Sequence, residues 1–288
     1  MPALQGLQRQ IKSASDLHKV VRTMKALAAV SIRQYERAVE ALEGYYTTVE
    51  LGLRAVLRQQ FLAQNPERLD VTVVLLFGSD QGMVGRFNEA IIDFAAEQLA
   101  DTTGSVRFWV AGQRAYGGVK DRFGEVEEQF SLPSSAQTIT PVVQEVLLRF
   151  EALRRREGEC RLLLLHNRPR GGAAYDQRRL ALLPPDELWL QEVAGEGWPG
   201  RNLPLIRAPW EELFSALIGE YLFLSLFSGF AFSLAAENAA RLAAMQRAEK
   251  NIEELQSDLS GRYHSLRQSL ATEELFDVIA GFEALADD

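Results

Sequence analysis

The sequence of 288 residues is poor in the residues on which covalent and metal chemistry usually rests. It holds a single cysteine, Cys160. No internal disulfide and no cysteine metal cluster can form, and a reducing compartment is the natural setting. Only three histidines occur, His18, His166 and His264, scattered without metal-ligand spacing. Basic residues are outnumbered, 31 against 39 acidic, for a net charge of -8. That balance argues against nucleic acid as the partner, because phosphate binding asks for a surplus of Lys and Arg. The opening MPALQGLQRQIKSA lacks the long apolar core of a signal peptide. There is no nucleophile elbow and no P-loop, and a convincing carboxylate pair is missing. No active site, cofactor site or metal site is expected.

Proline is also absent from Leu4 to Phe61, and a seven-residue repeat fills that space. One series runs Leu7, Ala14, Val21, Ala28, Tyr35, Leu42, Val49, Val56; the other runs Leu4, Ile11, His18, Lys25, Ile32, Val39, Tyr46, Leu53. Two such series form a coiled-coil seam. Gly44 and Gly52 weaken the helix by about 1 kcal/mol each without ending it. His18 and Lys25 interrupt an apolar seam, where they fix register or snorkel.

After Pro66 the texture changes. VTVVLLF (71–77), SVRFWVAG (105–112) and CRLLLLHN (160–167) are short β-branched or aliphatic runs, separated by helical stretches near 86–100 and 136–155. That alternation predicts βαβ units and a largely parallel sheet, with EVEEQF and RRLALLPP as added edge strands. From Pro209 onward a second long helix is expected, carrying Leu242, Met245, Ile252, Leu255, Leu259, Tyr263, Leu266 and Leu270 on its seam. Its greasy start, LFSALIGEYLFLSLFSGFAFSLAA, approaches membrane-span length. Glu220 inside it and the charged helix that follows favour a buried core helix. The fold class is therefore α/β: a long antiparallel coiled coil of the N- and C-terminal helices plus a Rossmann-like α/β middle domain. The expected boundaries are 1–65, 66–208 and 209–288.

Both long helices are rooted in the middle domain, so if they pair they run antiparallel. The first spans about 85 Å and the last nearer 110 Å at ~1.5 Å per residue. The surplus is about 25 Å of helix. It carries Leu275, Phe276, Ile279, Phe282 and Leu285 on one face. Such a face in water invites aggregation, and burying each side chain returns on the order of 1.5 to 3 kcal/mol. An apolar sleeve from another protein is expected. The basic beginning (Arg9, Lys12, Lys19, Arg22, Lys25) and acidic end (Glu253, Glu254, Asp258, Glu273, Glu274) favour the same pairing.

Three stretches then resemble a known family. RQIKSASDLHKVVRTMKALAAVSIR near the start, SDQGMVGRFN at 79–88, and AENAARLAAMQRAEKNIEEL with RQSLATEEL near the end are similar to the gamma subunit, the central shaft, of F-type rotary ATP synthases. Gln81, Val84, Arg86 and Ala236 stand where that family commonly has Arg, Cys, Gly and Ser, which suggests a divergent bacterial-like branch. The resemblance implies a non-catalytic rotor within a ring of three alpha and three beta subunits. Its foot would rest with the epsilon subunit on the c-ring, at the cytoplasmic side of the cell inner membrane. It further implies ring contacts at Met24, Lys25, Arg241, Gln268, Thr272 and Glu274, and a tip bearing at Leu275, Phe276, Ile279, Phe282 and Leu285.

Two other readings compete. A coiled-coil scaffold would explain the heptads but leave the overhanging tip without a purpose. A Rossmann-like nucleotide-binding enzyme would use the glycines of GSDQGMVG at a helix start. Asp80 there would repel phosphate.

Overall fold

The computed structural model describes residues 2–59, 69–171, 174–202 and 204–286, without the side chains of 2, 59, 277 and 280–286. Two compact units emerge: residues 28–241, and a smaller unit of residues 1–27 with 242–288.

The larger unit is built on a five-stranded sheet. β1 (Val71–Phe77), β2 (Ser105–Ala111), β3 (Val126–Phe130), β4 (Arg161–Gly171) and β5 (Ala174–Leu183) lie in the order β3-β2-β1-β4-β5. The first four are parallel, and β5 pairs antiparallel with β4. All three expected strands form, and EVEEQF and RRLALLPP supply β3 and most of β5. The central β1 is buried on both faces, which its unbroken apolar run demands.

Alternate residues of β1 point into separate cores. Val74 and Leu76 face α3 (Phe87–Leu99) and α4 (Gln113–Phe123) through Ile91, Ala95, Ala115 and Val119. Val73, Leu75 and Phe77 face α5 (Ile139–Glu157), α2 (Glu43–Gln59) and the first half of α7 (Trp210–Ala286). Phe77 stacks on Phe230 with ring centroids 3.9 Å apart. The second half of the span-length apolar run of α7 is taken up by the core: Leu224, Leu226, Phe230 and Ala231 are fully buried. A short helix α6 (Glu187–Gly195) closes this side, capped by Asp186, which accepts from the backbone N–H groups of Leu188 and Trp189.

One helix expected across 4–61 is two. α1 (Pro2–Glu40) ends before residues 41 and 42, where the Leu42 N–H donates to the Val39 carbonyl in a tightened turn, and α2 then runs through both Gly44 and Gly52. The expected end of this helix near Phe61 lies outside the described residues.

The smaller unit pairs the start of α1 with the end of α7. Gln8 donates to the Tyr263 hydroxyl at 2.9 Å, His18 faces Glu253 and Glu249, and Lys25 bonds Glu249. Positions rising along α1 meet positions falling along α7, so the pair is antiparallel. Ala14 and Val21 are buried at the seam, as are Met245 and Leu259. Ala14 lets the helices approach closely; His18 and Lys25 are only half-buried.

Candidate functional site

The second and third family-like stretches meet in the larger unit. Val84 of the loop after β1 and Phe87 at the start of α3 pack onto Ala236 and Ala240 of α7, with Tyr175 alongside. Ala236 and Ala240 sit one turn apart, and their small side chains make a flat seat for the loop. Val84 and Ala236, two of the departures from the family pattern, therefore lie in one apolar cluster. Arg86, a third, is exposed and pairs with Asp93 at 3.5 Å.

Beside this seat lies a polar pocket of about 280 Å³, lined in part by Tyr35, Asp80, Gln81, Glu237 and Arg241. Glu237 is buried, and burial pushes its carboxyl above the ordinary range, with the Arg241 guanidinium opposing that shift and Asp80 adding to it. Arg241 donates to Glu237 at 2.5 Å and to Asn238 at 3.3 Å. The Tyr35 hydroxyl is likewise pushed up by burial and by the Glu237 charge. Among the described residues Arg241 is engaged by a carboxylate and an amide of its own helix.

The same loop answers the nucleotide reading. The Asp80 carboxylate accepts from the Gln113 N–H at 2.9 Å, so the start of α4 is already occupied by an anion of the chain. Ser79 and Asn88 are tied to each other, with Asn88 Nδ2 donating to Ser79 Oγ at 2.8 Å. The loop holds the turn between β1 and α3 and offers no nucleophile with a base.

In the smaller unit Met24 is half-buried, and Lys25 bonds Glu249, whose carboxyl is held below its usual range chiefly by that bond. Gln268, Thr272 and Glu274 are all exposed; the Thr272 hydroxyl donates back to the Gln268 carbonyl at 2.9 Å. The structure therefore leaves these three facing solvent and does not gather the six candidate contacts at one place. A feature missed in the sequence is a second apolar stripe on α1: Leu17, Val20 and Leu27, with Met24 between them, are spaced along one face and more than half exposed. The three- and four-residue spacing, outside the seam series, was the available signal.

The overhang can be measured in register. Gln8 lies opposite Tyr263; α1 begins six residues earlier, at Pro2, which corresponds to residue 269, and α7 continues to Ala286, 17 residues further. At ~1.5 Å per residue that is about 25 Å. Leu275, Phe276 and Ile279 on this stretch are exposed, by 59, 64 and 44%. Phe282 and Leu285 fall among residues whose side chains lie outside the described ones.

A family model described as ATP synthase matches residues 3–285. The chain belongs to this family. Its relatives include the ATP synthase gamma chains of Chlorobaculum parvum, 28% identical over 99% of both chains, and of Anaeromyxobacter sp. (strain K), 27% identical over 99% of this chain and all of that one. The fold is similar to a chain of the cryo-EM structure of Euglena gracilis mitochondrial ATP synthase, OSCP/F1/c-ring, in rotational state 3. There the TM-score is 0.69 at 16% identity, covering 99% of this chain and 95% of that one. A chain of the rotor of the same synthase in rotational state 1 gives 0.65 at 16% identity, covering 94% and 99%. Within the family the chain is a gamma-type member, and as such non-catalytic.

Proposed function

We propose that this chain is the central-stalk rotor of a rotary ATP synthase, coupling ion passage through the membrane sector to ATP synthesis or hydrolysis in a ring of three alpha and three beta subunits. The supporting observation is the antiparallel helical pair whose longer member runs on alone with an exposed apolar face. Leu275, Phe276, Ile279, Phe282 and Leu285 turn inside an apolar collar of that ring. Met24, with the stripe of Leu17, Val20 and Leu27, together with Lys25, Arg241, Gln268, Thr272 and Glu274, meets the ring along the shaft. The α/β domain, residues 66–208, is the foot that contacts the epsilon subunit and the c-ring, while 1–65 and 209–288 form the shaft. The assembly sits on the cytoplasmic side of the cell inner membrane, and this chain touches the membrane only through it.

The work is mechanical. A shaft without threefold symmetry presents a different face to each of three identical catalytic sites, so contact energy holds each in a different state. Turning the shaft exchanges those states, and by reciprocity hydrolysis in the ring turns the shaft. No catalytic group need come from the shaft itself.

The test combines mass and truncation. The native complex should contain one copy of this chain per three alpha and three beta subunits, and removing the residues after Leu270 should loosen the complex and lower coupled activity. Homodimers free of ring subunits, as a scaffold would form, or unchanged assembly and torque after truncation, would count against the reading.

A further inference from the structure

His18, Glu249 and Glu253 are the part of the smaller unit that shaft mechanics leaves without a task. Their sequence separation hides the cluster, since at least 230 residues lie between the histidine and either glutamate. The antiparallel pairing brings them together. Glu249 and Glu253 stand one turn apart on α7, and His18 faces both from α1.

The distances are distinctive. His18 Nε2 lies 3.7 Å from a Glu249 oxygen and 3.6 Å from a Glu253 oxygen. Both are too long for a hydrogen bond. Yet Nε2 is inaccessible to solvent and has no hydrogen-bond partner. A nitrogen in that position costs free energy unless something sits between it and the oxygens. The three ligand atoms all lie within 4.8 Å of one another. A tetrahedral ion with bonds of about 2.0–2.1 Å sets its ligand atoms about 3.3 Å apart, which both histidine–carboxylate distances already approach, and a rotation of the Glu253 side chain brings the third ligand in.

We propose that His18, Glu249 and Glu253 bind a divalent transition-metal cation of the zinc type, which staples α1 to α7. An imidazole with two carboxylates suits that class better than magnesium or calcium, which prefer all-oxygen shells. Three protein ligands leave a fourth position for water, and Glu253, more than half exposed, leaves the site an entry path. Lys25 bonds the other oxygen of Glu249 and so orients the carboxylate for the ion, as outer-shell partners do. Lys25 and Arg22 also lower the proton affinity of Glu249, keeping it ionised, while their positive charges oppose the ion and limit how tightly it binds.

The site needs no partner chain, so its test stands apart from the rotor reading. The full-length chain, purified with whatever partners accompany it and stripped with chelator, is titrated with Co²⁺, whose four-coordinate complexes absorb visible light strongly. The expected result is a saturable band of one equivalent per chain, displaced by Zn²⁺ and lost in acid, since protons compete with the metal for its ligands. His18→Gln should weaken binding at least tenfold, and so should Glu253→Gln, an exposed position where the change leaves folding intact. Absence of a saturable band, or a band of unchanged midpoint in Glu253→Gln, overturns the site.

Discussion

Replacing Arg241 with methionine keeps the stem of the side chain and removes its charge from Glu237. In the native chain the pair is nearly sealed, with 12% of the Arg241 side chain and 6% of the Glu237 side chain exposed. Removing one partner of a buried pair strands the other, which typically costs about 3–5 kcal/mol. The lower end applies here, about 3 kcal/mol, because Arg241 borders an open pocket. The cost should depend on pH. Burial already raises the Glu237 pKa, and the Arg241 charge is what opposes that rise. A carboxyl whose folded pKa lies above its unfolded value favours the fold when protonated, and that contribution is lost as pH rises through the folded pKa. Without Arg241 the folded pKa climbs further, so the penalty should shrink from neutral pH toward pH ~5. Urea denaturation of Arg241→Met at both pH values reads this directly, and the double variant Glu237→Gln/Arg241→Met should recover most of the loss. A penalty that is flat with pH, together with a double variant no more stable than the single one, would refute the reasoning.

Two further perturbations probe the larger unit. A Cβ at Gly229 would come within 2.6 Å of Leu164 Cδ2 and 3.3 Å of Phe77 Cε2, so Gly229→Val should overpack the α7–sheet contact by about 1–3 kcal/mol. Thermal denaturation unchanged from wild type would show that α7 does not press on β1 and β4 as described. His166 is a buried residue of β4, its ring parallel to that of Phe232 at 6.3 Å between centroids, and burial lowers its pKa to about 4. A base whose folded pKa is depressed loses stability as pH falls from its ordinary value toward the folded one, here on the order of 3 kcal/mol between pH ~6.5 and ~4. His166→Asn should flatten that limb of the stability profile, and an unchanged slope would count against a neutral buried imidazole.

Much of this architecture could be read from residue types, for reasons that also explain the failures. VTVVLLF announced β1 because a strand buried on both faces must be continuously apolar. Trp210–Ala286 announced α7 because no residue after Pro209 interrupts the pattern. α4 was missed because QRAYGGVKDRF carries adjacent glycines, which read as a loop. Gly118 is there because a Cβ would meet Ile92 Cδ1 at 2.6 Å, so tertiary packing of α4 on α3 overrides poor helix propensity. α6 did have a signal, the capping Asp186 after Pro184 and Pro185, but nine residues are too short for periodicity to declare itself. The break at residues 41 and 42 carries no breaker of its own; Gly44 comes after it. Of the candidate site, the overhang and the unusual seam residues His18 and Lys25 were visible as pattern. The burial of Glu237 against Arg241, and the meeting of His18 with two glutamates, depend on distant parts of the chain coming together, and no local spacing records that.

The central claim is that this chain turns. The native cysteine, Cys160, is buried and is the only one, so a cysteine introduced at Leu188, which is 69% exposed, gives a single reactive handle on the α/β domain. With the complex fixed to a surface through its ring and a bead on that handle, ATP should drive rotation in one direction, with pauses at three positions per turn. ATP consumption with the bead showing only random rocking would contradict the account.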